Sequence, residues 1–135
     1  LEIFNEIGEK ISLPICLSNL GKICVERGDL DKAERFHQEC RSIEREIGKQ
    51  LDEAYTIRSL ARIANSRGDV DKAISLFQES LDLTSKIAHR KGEAISLQNI
   101  GKIMWATGRE AASEEFFNKA GEIFRELGLE PSIED

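Results

Sequence analysis

The chain has 135 residues, 40% of them apolar and 33% charged, which suits one folded domain with a sizeable core and argues against disorder. Its net charge of −6 is the wrong sign for a surface that neutralises phosphates, so no nucleic-acid partner is expected. It contains no run of about 18 apolar residues and no basic-then-apolar leader, so we read no membrane span or secretory signal and expect a cytoplasmic setting.

In chain order, Ile3, Ile7 and Gly8 share a register with Ile43, Ile47 and Gly48, so residues 1–8 are predicted to end the second helix of a preceding unit. Ser12 before Leu13-Pro14 reads as the start of a new helix over 13–27, with Pro14 in its first turn. Gly28 suits the left-handed stop of that helix, and Asp29 suits the N-cap of a second one over 30–47. The stretch Arg27-Gly28-Asp29-x-Asp31-Lys32-Ala33 then recurs 40 residues on as Arg67-Gly68-Asp69-x-Asp71-Lys72-Ala73. Helices are therefore predicted over 53–67 and 70–87, and again over 93–107 and 110–127. Gly108-Arg109 keeps the stop without the cap. Ala88 stands where Gly48 and Gly128 close the other units, so that junction is expected to be terminated less sharply. The units are 13–52, 53–92 and 93–128, followed by a tail at 129–135. A chain that begins at Leu1, with Met104 its only methionine, is expected to be a piece of a longer protein.

These helical pairs resemble the tetratricopeptide repeat family across nearly the whole chain, in an extended form with a 40-residue period. Gly21, Ala61 and Gly101 occupy the family's first small-residue position, and Ala33, Ala73 and Ser113 the second. Small residues are needed there because two helices approach closely only where no large side chain stands between them. The usual aromatic of the second helix is kept in Phe77 and Phe117 but is His37 in the first unit. The resemblance implies an all-α fold, a right-handed α-solenoid of antiparallel helix-turn-helix repeats, with the first helices (A) of each unit lining a concave inner wall and the second helices (B) outside.

It also implies where a partner would sit. The inward positions of the A helices hold Asn19 and Lys22 in the first unit, Tyr55, Arg58, Arg62 and Asn65 in the second, and Gln98, Asn99, Lys102 and Trp105 in the third. Lys22, Arg62 and Lys102 share one register and form a ladder of cations, while Asn19, Ser59 and Asn99 form an interrupted row of side chains able to bond a peptide backbone. Tyr55 and Trp105 are the expected anchors. The implied function is a protein-binding scaffold that receives a peptide or helical segment, of acidic character, in this groove. Some family members grip chaperone tails with a two-carboxylate clamp; here its positions hold Ser18, Lys22 and Ser59, so that clamp is not expected.

No catalytic, cofactor or metal site is read from the sequence. The two Arg-Gly-Asp tripeptides are interhelical turns that need glycine, and Cys16, Cys24 and Cys40 lack ligand spacing and read as reduced core thiols. His37 falls on the buried side of its helix and is expected to be hydrogen-bonded, whereas His89 falls in a turn. Two alternatives remain. One is self-association through an open solenoid end, where Phe116, Phe117 and Phe124 lie on the last helix; the other is service as the sensor arm of a larger signalling ATPase or regulator.

Overall fold

The computed structural model describes residues 2–131, with the backbone alone over residues 2–12. Six helices follow one another: α1 Glu2–Glu26, α2 Leu30–Ile47, α3 Gln50–Ser66, α4 Val70–Lys86, α5 Arg90–Ala106 and α6 Glu110–Glu126. Each packs on the helix before it and the helix after it, so the described residues form an all-α solenoid of antiparallel hairpins.

The B helices have a common buried stripe. Ala33, His37, Cys40 and Glu44 are buried on α2, and Ala73, Phe77, Ser80 and Thr84 take the same places on α4. The spacing of three and four residues puts each set on one helical face. At the start of the stripe, Ala33, Ala73 and Ser113 are fully buried. Across from them, a Cβ added to Gly21 would lie 2.5 Å from Nε2 of His37, and one added to Gly101 would lie 2.9 Å from the Phe117 ring. A glycine on one helix thus admits a ring from the other. The core continues between hairpins, where Ala61, Ala64, Ala73 and Phe77 meet Ile100 and Ile103.

Charges fasten neighbouring units on the outside. Arg41 and Arg45 of α2 both pair with the buried Glu53 of α3 and reach Glu79 of α4. Arg67 at the end of α3 reaches back to Asp31 at 2.6 Å and Glu34 at 2.9 Å on α2, so the Arg-Gly-Asp turn is tied into the fold.

Two expectations are corrected. Residues 1–8 were expected to close a preceding helix, with a new one starting at Ser12; instead α1 runs without a break from Glu2 to Glu26, with Gly8 and Pro14 inside it. Glu, Ile and Lys between them favour continuing the helix, and the missing Pro14 N–H costs one hydrogen bond, which α1 tolerates. The second correction is Ala88. It adopts the left-handed conformation at φ 56°, and the helix end closes as it does at Gly48: Ala88 N–H donates to Ser85 O and His89 N–H to Thr84 O. The closing hydrogen bonds and the packing of α5 hold an alanine where its Cβ is unfavourable. Arg109 makes no side-chain cap at α6, as its residue type requires.

Substitution Ala88→Gly should therefore raise unfolding stability by about 0.5–1 kcal/mol, the relief of left-handed strain exceeding the greater freedom of glycine in the unfolded chain. Gly21→Ala should destabilise by about 1–3 kcal/mol because His37 blocks its Cβ, whereas Gly121→Ala, with nothing within 4 Å, should stabilise by about 0.5–1 kcal/mol. Urea unfolding of the three variants checks all of these directions.

Candidate functional site

The inward residues of the A helices line a row of cavities. A cavity of about 430 Å³ opens between α1 and α3, with Asn19 and Lys22 on one wall and Tyr55, Arg58 and Arg62 on the other. Lys49 and Asp52, from the turn and first residues of α3, contribute to its lining, as do the buried side chains of Glu44 and Thr56. A second cavity, of about 270 Å³, lies between α3 and α5 and is lined by Arg62, Asn65, Asn99 and Lys102, with the buried side chains of Phe77 and Ile103 beneath. Arg62 lines both cavities, together with Lys22 in the first and Lys102 in the second. Tyr55 and Arg58 also line a third space with Lys91, Ile95 and Leu129.

Local contacts fix several of these side chains. The Arg58 guanidinium lies over the Tyr55 ring, 4.8 Å from its centre, and the Tyr55 ring meets His89 edge-on at 6.1 Å. His89 in turn caps α5, its Nδ1 accepting from Gly92 N–H at 3.0 Å. Histidine is an uncommon cap, and its role was not legible from a residue in a turn.

Several polar side chains expected on the inner wall are engaged there by their own helices or buried. Gln98 and Asn99 are buried, and the Asn99 amide donates to Ile95 O of its own helix at 2.9 Å. Ser59 does the same to Tyr55 O. The row of backbone-bonding side chains is thus partly turned onto its own helices, because a short polar side chain inside a helix finds the carbonyl four residues back before it finds a ligand. Trp105 is 60% exposed at the end of α5 and lines none of these cavities.

Polar groups lie beneath the first cavity. The Thr56 hydroxyl donates to Glu44 Oε1 at 2.6 Å, and the Cys40 thiol donates to Pro14 O at 3.2 Å. Burial pushes the Glu44 carboxyl above its ordinary range, with the Thr56 hydrogen bond acting against that shift and Asp52 and Glu53 adding to it. Burial also pushes the Cys40 thiol up to about 11, so it is an inert packing group. Of the three cysteines only Cys40 is buried; Cys24 is half-buried and Cys16 exposed, so the reading of three core thiols is corrected. Glu44 was missed from the sequence, although it lies on the same stripe as His37 and Cys40.

His37 is buried against Gly21, and its Nδ1 has no hydrogen-bond partner among the described residues, contrary to expectation. It fills the aromatic place of Phe77 and Phe117, a site shaped for a ring with no polar atoms. Burial, then Lys22 and Arg62, lower its affinity for a proton.

A tetratricopeptide repeat family model matches residues 50–126, more than half of the chain, and a second matches residues 16–51. The chain belongs to the tetratricopeptide repeat family. No curated protein matches it. Repeats of this family generally mediate protein–protein interactions. Among the described residues, no helix is long and apolar enough to cross a membrane.

A neutral, buried His37 generates a pH dependence of stability. The unfolded chain takes up a proton near pH 6.5 that the folded chain resists, so stability should fall as pH drops from 7 toward 5. Glu44 acts oppositely, since its folded form holds a proton more tightly than the unfolded chain. His37→Phe, which installs the residue type of the other units, should remove the His37 component and gain stability relative to the parent most strongly at acidic pH. Thermal unfolding of both proteins between pH 5 and 8 measures the difference.

Proposed function

We propose that this tetratricopeptide repeat protein holds an extended or helical segment of a partner protein, rich in carboxylates, along the concave row of A-helix residues. The observation that carries the reading is the position of Arg62, which lines one cavity with Lys22 and the next with Lys102. Three cations in one register on successive helices favour a ligand with carboxylates repeated along its length. Arg58, braced on Tyr55, offers a preorganised guanidinium beside them, and Asn19 and Asn65 supply polar contacts on the same walls. In this reading Trp105 acts at the rim, where its exposed indole can close over the end of a bound segment. The same reading assigns the chain a binding role in the cytoplasm, with no catalytic step.

Selection from a random peptide library on the immobilised protein should enrich sequences in Asp and Glu. Reversing Lys22, Arg62 and Lys102 together to Glu should weaken a selected peptide at least tenfold, about 1.4 kcal/mol, and raising the salt concentration should weaken binding to the parent protein. Unchanged affinity in the triple variant, with its helicity intact, would remove the groove assignment.

A further inference from the structure

The repeat supplies its own measure of what is uncovered. Leu60 and Ile63 on α3 are each 3% exposed, and Ile100 and Ile103 on α5 are 1% and 5% exposed, because the preceding B helix covers each pair. Their register partners on α1, Leu20 and Ile23, are 44% and 43% exposed. No described element lies on that face of α1. The α1 face therefore has the form of a buried interface without its other half.

The chemistry of the junctions indicates which helix fits. At the first junction α2 presents Glu34 and Gln38 toward Leu60 and Arg67 of α3, and Arg67 pairs with Glu34 at 2.9 Å. At the second junction α4 has Ile74 in the place of Glu34, and α5 has Thr107 in the place of Arg67. The arginine at the end of an A helix is thus paired with an acid of the B helix before it at the first junction, and the Arg–Glu pair is absent from the second. On α1 that residue is Arg27, which calls for an acid. Glu114 and Asn118 of α6 stand in the places of Glu34 and Gln38, and both are exposed. Phe117, in the place of the fully buried His37 and Phe77, is only half-buried. Of the three aromatics expected at an open end, Phe124 is already buried and takes no part.

We propose that α6 of one copy docks on the Leu20, Ile23 and Arg27 face of α1 in a second copy, with Glu114 paired to Arg27, so that chains associate head to tail. The two surfaces differ, so the contact does not close on itself and successive copies extend the solenoid. The groove residues take no part in the contact, so this inference stands or falls separately from the groove reading.

Sedimentation velocity of the full 135-residue chain should show a concentration-dependent series of species larger than a dimer. Arg27→Glu and Glu114→Arg should each weaken association roughly tenfold, since an attractive pair becomes a repulsive one. An equimolar mixture of the two variants should regain it, because every junction between unlike copies again joins opposite charges. Ile23→Lys should abolish association while circular dichroism shows an unchanged helical fold. A chain that stays monomeric to about 1 mM overturns the proposal, as that bounds the contact at roughly −4 kcal/mol or weaker. So does a limiting mass of two copies, or association indifferent to both charge reversals.

Discussion

The close approach of the two helices within each hairpin is the constraint on which the rest of the structure depends. His37 packs directly on the backbone at Gly21, and Phe117 packs on Gly101. Where the ring is Phe77, the A helix carries Ala61 at the same height. Opposite each pair a residue no larger than alanine or serine is fully buried. This arrangement fixes how far apart helices A and B stand, and with it the tilt at which one hairpin meets the next. The outer charges, such as Arg67 on Asp31 and Glu34, then join units already positioned by packing. Exposed pairs of that kind contribute little singly, so they act more as a register check than as the source of stability.

The hairpins were legible because their signals are local and repeated. Gly28, Gly68 and Gly108 adopt positive φ, and Asp29 and Asp69 cap the following helices through Lys32 and Lys72 N–H. A turn residue that recurs at constant spacing is hard to misread, since chance matches do not recur in register. The first turns of the chain were not legible for the same reason in reverse: Gly8 matches Gly48, but a glycine ends a helix only where the chain beyond it gains more by turning. Ala88 shows the opposite case, in which the closing hydrogen bonds and the packing of α5 impose a left-handed residue without glycine.

The groove was legible in its long side chains and less so in its short ones. Lys22, Arg58, Arg62 and Lys102 extend far enough to line the cavities wherever their backbone faces inward. Asn99 and Ser59 also border the cavities, but their polar atoms are taken up by the helix that carries them. Sequence spacing gives the direction of a Cβ, but not whether a short polar group has a nearer partner. The same limit hid His89, whose part as a cap depends on the approach of Gly92 N–H and on no pattern in the chain.

Repetition of backbone with variation of the buried stripe also gives the scaffold a direction. Beneath the first cavity lie the carboxyl of Glu44 and the hydroxyl of Thr56, and beneath the second the ring of Phe77 and the side chain of Ile103. The register partners of Glu44 run from carboxyl to hydroxyl to ring, as Glu44, Thr84 and Phe124, so the floor changes chemistry from unit to unit. Two cavities that share Arg62 but rest on different floors are not interchangeable. A segment held as proposed would meet a polar floor at one end and an apolar one at the other, an asymmetry that the ladder of like charges alone does not provide.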